Sequence, residues 1–201
     1  MHKPLQKLVQ LDLERPIWDR FFWVSPLAVV WTHENDGSPN LATKHMVTPM
    51  GWDNYFGFVC TPRHSTYRNV ERDACFTVSM PRPDQVVLAS LCATPRCEEA
   101  PKAEIQALQT RPASKIAGTF LAQSYLFMEC ELERIVDGFG ENSLVVGRII
   151  AAAVAPDSLR TLERDGQDLI MKSPLLAYLP PLRFARIQQT YSFPFPAGFQ
   201  R

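Results

Sequence analysis

The sequence predicts a mainly β fold with interspersed helices, its strands antiparallel and closed into a barrel. Three observations lead there. Seventeen prolines and nine glycines cut the 201 residues into short pieces, which suits strands and turns better than a helix bundle. The apolar runs between them are short and several alternate as half-buried strands do. No Gly-x-Gly-x-x-Gly and no P-loop occurs, so an open parallel sheet holding a dinucleotide is not expected.

The elements follow in order. Ile17 to Phe22 reads as a helical turn that packs an aromatic pair. Leu27 to His33 is a β-rich run ending at Glu34-Asn-Asp-Gly-Ser-Pro39. Asp36-Gly37 is a strong hairpin signal, so a second strand should return from near Asn40. Tyr55 to Cys60 is the third strand. Ser65 to Arg72 reads as a short helix, with His64 or Ser65 near its N-cap and free backbone N–H groups at its start. Ala74 to Met80 is another strand. Asp84 to Leu91 looks helical, with Asp84 as N-cap and Val86, Val87 and Leu91 as its apolar residues. The polar stretch Thr94 to Arg111, with a helical piece at Ala103 to Leu108, reads as an excursion from the barrel. It either covers a ligand or is a solvated loop.

Tyr125 to Val136 alternates in its later half. Cys130, Leu132 and Arg134 should point one way, and Glu131, Glu133 and Ile135 the other. Asp137-Gly138 and Gly140 mark a turn, and Ser143 to Val154 returns as a long antiparallel partner. Ser158 to Met171 reads as a surface helix with apolar Leu159, Leu162, Leu169 and Ile170. Leu182 to Ile187 is the last strand. No internal repeat is visible. One domain is expected over residues 1–201, with an N-terminal extension at 1–24 and an aromatic tail at 188–201.

Composition narrows the function classes. Lys plus Arg equals Asp plus Glu at 21 each, and this balance speaks against nucleic acid or an anionic membrane surface as the main partner. No apolar run reaches the roughly 18–20 residues that span a bilayer. No apolar segment of signal-peptide type follows the basic N-terminus, so a cytoplasmic location is expected. The five cysteines are odd in number and scattered, unlike a disulfide framework. Cys60, Cys75 and Cys130 read as small core residues, and Cys92 and Cys97 as members of a Pro-containing loop. The histidines show no metal-like spacing. Of the four tryptophans, Trp18, Trp23, Trp31 and Trp52, most should be core or interface residues.

Several segments, in their order, resemble the flavin reductase-like, FMN-binding split-barrel family. Ser25-Pro-Leu-Ala-Val-Val resembles the family's first barrel strand, and Asp36-Gly-Ser-Pro-Asn40-Leu-Ala its hairpin. Arg63-His-Ser-Thr-Tyr-Arg-Asn69-Val resembles its helix start, and Cys75-Phe-Thr-Val-Ser the strand that follows. Phe127-Met-Glu-Cys-Glu-Leu and Leu144-Val-Val-Gly-Arg-Ile resemble its paired late strands. The chain departs from the family pattern in three places. His45 stands where the family commonly has Ser, Pro49-Met-Gly-Trp52 replaces Pro-Pro, and Ser65 replaces the Asp before the helix Thr.

The resemblance implies a split barrel that binds FMN, or alternatively FAD, and takes electrons from NAD(P)H. It also implies a homodimer with flavin at the interface, one that serves a partner oxygenase or other redox protein. A non-catalytic flavin or small-ligand binding protein, and an interaction protein presenting its aromatic tail, are the alternatives. The cofactor residues fall into two clusters. An FMN phosphate needs backbone N–H donors, hydroxyls and cations, and a helix start supplies the first. Arg63, His64, Ser65 and Thr66 provide that set, with Lys44 approaching from the neighbouring strand. Thr43, Lys44, His45 and Met46 would border the isoalloxazine edge through backbone groups, and Asn69 would bond back to that strand. Hydride transfer to flavin requires alignment more than a protein acid or base, so no catalytic residue is assigned.

Overall fold

The computed structural model describes residues 7–93 and 108–198. Most of the excursion at 94–111, including its helical piece up to residue 107, and Cys97 lie outside the described residues.

The chain runs β1 (Ser25–Pro26), β2 (Ala28–His33), β3 (Pro39–Lys44), β4 (Val47–Pro49), β5 (Tyr55–Cys60), α1 (Ser65–Asp73) and β6 (Cys75–Met80). It continues with a 3-10 turn (Pro83–Gln85), α2 (Val86–Cys92), β7 (Thr110–Pro112), β8 (Thr119–Leu121), β9 (Leu126–Phe139) and β10 (Asn142–Val154). It ends with α3 (Gly166–Lys172), β11 (Leu175–Leu179) and β12 (Arg183–Ile187). Seven strands form one antiparallel sheet in the order β3-β2-β6-β9-β10-β5-β4. Three more pair as β1-β11-β12 and two as β7-β8.

The two edges of the seven-stranded sheet, β3 and β4, are consecutive in sequence and joined only by His45 and Met46. The sheet therefore curls until its edges come within one short connection, yet no ladder joins them. This is a split barrel, as the sequence predicts.

The core explains why β2 reads as an unbroken apolar run. Ala28 and Val30 face the barrel interior with Phe58, Phe76, Val78 and Val145. Val29 and Trp31 face a second cluster outside it, with Leu41, Ala89 and Leu121. A strand buried on both faces loses the alternation that marks a half-solvated one. Gly147 on β10 makes room for the interior ring stack. A Cβ there would sit 2.5 Å from Phe76 Cζ.

The β2–β3 hairpin forms where Asp36-Gly37 predicts it. Gly37 has φ +79°, and the Glu34 N–H donates to the Ser38 carbonyl at 2.9 Å. α1 has His64 as its N-cap, in extended conformation.

Several expectations need correction. Residues 17–22 make one turn, with the Arg20 N–H on the Ile17 carbonyl at 3.0 Å, and no helix. The aromatic pair is present: the Trp18 ring lies 6.2 Å from Phe21. Asp84 does not cap α2. The Arg82 N–H donates to Gln85 Oε1 at 3.0 Å, and Gln85 Nε2 donates to the Ala122 carbonyl at 2.6 Å, so a buried amide directs the entry. Val87 is exposed, and Ala89 and Cys92 are the buried residues of α2. Cys92 is thus a core residue and not a loop residue, while Cys75 is only half-buried.

β9 runs through Asp137-Gly138 to Phe139, and the turn is Gly140-Glu141. Arg134 pairs with Val146 but Leu132 with Gly147, which leaves Glu133 as an extra residue. That bulge resets the alternation, so Ile135 joins Leu132 against the core. Of the helix expected at 158–171, only α3 forms. The Asp165 carboxylate accepts from the Gln167 and Asp168 N–H groups at 2.9 and 3.1 Å, which starts the helix there. Leu159 and Leu162 stay exposed because no core faces them. The short strands β1, β4, β7, β8 and β11 were not expected as separate elements. Among the tryptophans only Trp31 is buried.

Candidate functional site

α1 starts with no side-chain hydrogen bond from its N-cap and no acidic residue in its first turn. The first N–H groups of such a helix carry partial positive charge and attract an anion. Arginines reinforce this end. Arg68 Nη1 donates to the Arg63 carbonyl at 2.6 Å and to the Pro62 carbonyl at 3.4 Å, closing the loop before the helix. Arg68 Nη2 reaches Ser65 Oγ at 3.5 Å. The exposed Arg63 is paired with Glu141, in the β9–β10 turn. His64 is exposed, and its carbonyl accepts from the Tyr67 and Arg68 N–H groups at 3.1 and 3.4 Å.

The second cluster lies where the chain crosses from one sheet edge to the other. The Thr43 hydroxyl donates to the Ala89 carbonyl of α2. Lys44 is only 9% exposed; its Nζ lies 3.2 Å from Cys60 Sγ and 5.9 Å from the Phe58 ring centre. Cys60 ends β5, just ahead of the loop into α1, and both Cys60 and Phe58 belong to the barrel core. The His45 ring sits 5.1 Å from Tyr178 of β11, tilted by 55°. Burial, then the Lys44 charge, pushes the His45 pKa down, which favours its neutral imidazole. Met46 is exposed, and its carbonyl accepts from the Val59 N–H at 2.9 Å.

Thr66 and Asn69 behave differently from expectation. Both are buried and face inward. Asn69 Nδ2 donates to Thr32 Oγ1 on β2 at 3.0 Å, so it does not bond to the 43–46 segment. Asn40 Nδ2 donates to Thr32 Oγ1 at 3.1 Å and to Thr66 Oγ1 at 3.2 Å. These bonds tie α1 to β2 and β3 and so hold the two clusters in one body. Sequence reasoning singled out Arg68 as part of the polar cluster but missed Thr32, Asn40 and Tyr178 as site residues. The available signal was Thr32: a hydroxyl within a buried apolar strand requires a partner.

A sequence model of the flavin reductase-like domain matches residues 22–179, most of the chain. The chain belongs to the flavin reductase-like domain family. That membership makes it an oxidoreductase of the flavin reductase type. Among solved structures, it is similar to flavoredoxin from Methanosarcina acetivorans, with TM-score 0.76 and 17% identity over 96% of this chain and 98% of that one. It is similar to nitrilotriacetate monooxygenase component B from Bacillus cereus, with TM-score 0.78 and 15% identity over 94% and 100%. It is also similar to the NADH:FAD oxidoreductase of Streptomyces globisporus C-1027, with TM-score 0.71 and 15% identity over 92% and 99%. At these identities the likeness establishes the fold. A search of curated protein sequences gives no match.

The residues present fit a flavin. The acid-free helix start and the Ser65 hydroxyl suit a phosphate. Lys44 is a buried cation that no carboxylate pairs with among the described residues, and a buried charge without a counter-charge is costly. A bound anion offsets that cost. Among the described residues no cluster of His, Cys, Asp and Glu could hold a metal ion, and no helix is long and apolar enough to cross a membrane. An open depression lined by His33, Glu34, Asn35, Gly37, Arg72 and Asp73 lies at the far end of α1 from this site.

Proposed function

We propose that this flavin reductase-like domain is a NAD(P)H-dependent flavin oxidoreductase that binds FMN and acts as a homodimer in the cytoplasm. It passes electrons to a partner oxygenase or other redox protein. FAD is the alternative flavin. The whole chain acts as one unit, with residues 1–24 and 188–201 as extensions.

The observation that carries this reading is the acid-free start of α1, bonded through Thr66 and Asn40 to the strand that leads into His45 and Met46. A phosphate end and a ring edge are then held at a fixed separation. Ser65 and the first backbone N–H groups of α1 hold the phosphate, with His64 and Arg63 beside them, Arg63 exchanging its Glu141 partner for the phosphate. Lys44 supplies positive charge between the two ends. Backbone groups of Thr43 to Met46 border the ring, which tolerates the His45 departure because backbone and not side-chain groups make those bonds. When bound, the flavin supplies the hydride acceptor. The chain's task is to align it and exclude water.

The visible spectrum of the purified protein tests the reading. We expect oxidised-flavin bands, either as isolated or after adding FMN, and bleaching on anaerobic titration with NADH or NADPH. A colourless protein that takes up neither FMN nor FAD would refute it. Flavin uptake with no NAD(P)H oxidation would leave the non-catalytic binding protein as the correct alternative.

A further inference from the structure

The four buried polar side chains Thr32, Asn40, Thr66 and Asn69 have a geometry that apolar anchoring of α1 does not require. Tyr67 and Val70 already pack this helix on the barrel core. Thr32 and Asn40 are cross-strand partners on β2 and β3. Thr66 and Asn69 lie three residues apart, on one face of α1. All four are at most 5% exposed. One hydroxyl, Thr32 Oγ1, accepts from both amides, and Asn40 uses its second N–H on Thr66. Arg72 Nη1 extends the set by donating to Asn69 Oδ1 at 3.4 Å.

Apolar contacts are non-directional and allow a short helix to roll about its axis. Directional bonds in a dry site do not. We propose that Thr32 and Asn40 are positioning residues that fix the roll of α1 and thereby make the site selective for flavins bearing a 5′-phosphate over riboflavin. This rests on the flavin reading above. The ring end, at Thr43 to Met46, lies at the end of β3 and on its crossing to β4; it contains no residue of α1 and does not depend on the roll. The phosphate end, at the first turn of α1, does.

The test is equilibrium binding of FMN and of riboflavin, read by flavin fluorescence without turnover. The wild-type chain should bind FMN more tightly than riboflavin. Thr32→Val keeps the shape and removes the hydroxyl that accepts from both amides. It should raise the Kd for FMN about ten-fold, from loss of buried hydrogen bonds, and change that for riboflavin by less than about two-fold. Thr32→Ser should restore wild-type binding. Equal weakening of both flavins, or of neither, would overturn the proposal, since a general loss of structure does not discriminate between them. If Thr32→Val does not fold, Asn40→Ala, which removes the bonds to Thr32 and Thr66, is read in the same way: FMN weakened and riboflavin not supports the proposal, and equal weakening of both or of neither overturns it. A wild-type protein that binds neither flavin refutes the flavin reading itself, a different outcome from binding FMN without selectivity.

Discussion

Glu129 shows at the residue scale how a buried charge can serve the fold and not the chemistry. Its carboxylate accepts from the Ser114 N–H at 2.8 Å, the Ser114 hydroxyl at 2.7 Å, and the Lys115 and Ile116 N–H groups at 2.6 and 3.0 Å. Burial pushes this carboxyl up, but the four donors outweigh it and hold it below the ordinary Glu range. A carboxyl with a depressed folded pKa stabilises the protein above its unfolded value, about 4.3, and that contribution is lost as pH falls through the folded value. Glu129→Gln should therefore cost about 1–3 kcal/mol near pH 7. The cost should shrink as pH falls below about 4. Urea unfolding of both proteins at several pH values measures this, and a pH-independent difference would contradict it. His45 acts in a higher window. Its folded pKa is lowered, so its neutral form favours the fold above about 6.5, and that contribution fades as pH drops below it.

At the scale of elements, local turn chemistry decides the structure where no distant partner intervenes. Asp36-Gly37 made its hairpin because a left-handed glycine and a short side-chain acceptor are enough for the turn. The Asp36 carboxylate accepts from the Ser38 N–H at 2.9 Å. α1 was legible with His64 or Ser65 near its N-cap, and its end adds a prediction. Ala74 terminates the helix with φ +53°, a left-handed conformation that disfavours a side chain. Ala74→Gly should raise stability by about 0.5 kcal/mol, the strain relieved less the extra freedom glycine has when unfolded. Thermal unfolding should show a small rise in Tm, and a fall would mean the Ala74 methyl packs usefully. Elements were misread where a distant partner overrode a local signal. Asp84 is a sound N-cap by type, yet Gln85 bonding across to Ala122 decided how the chain enters α2. The Glu133 bulge is set by pairing with β10 and leaves no mark in β9 itself.

For the molecule as a whole, the exposed aromatics raise the question of assembly. Trp18, Phe22 and Trp23 near the start, and Tyr191, Phe193 and Phe195 near the end, are all exposed. Trp18 contacts Phe21 and Trp23, and Phe193 contacts Phe195, so each end carries an exposed aromatic cluster of the kind that suits an interaction site. If the tail packs on a second copy, light scattering should give twice the 22.8 kDa chain mass. Deleting residues 191–201 should then shift the protein toward monomer. A truncated chain that dimerises as well as the intact one would assign the tail to its own barrel instead.

The candidate site divides in the same way as the fold. Arg63 to Thr66 and Thr43 to Met46 stand out in the sequence because each is a contiguous run whose residue types suit a phosphate or a ring edge, although Thr66 turns inward to Asn40. That Asn69 turns away from the second run, and that Thr32 and Asn40 hold the first, was not legible. The bonds that reach α1 join residues 26 and 37 positions apart, and no local pattern encodes a contact at such distances. By itself the sequence determined a mainly β chain, its hairpin, its first helix and the two polar runs, since turn chemistry and hydrophobic period act over a few residues. Only the tertiary structure decided that the sheet's edges meet at His45 and Met46, which leaves Lys44 buried without a carboxylate partner among the described residues. Curling a seven-stranded sheet until its ends adjoin depends on pairings between strands far apart in the chain.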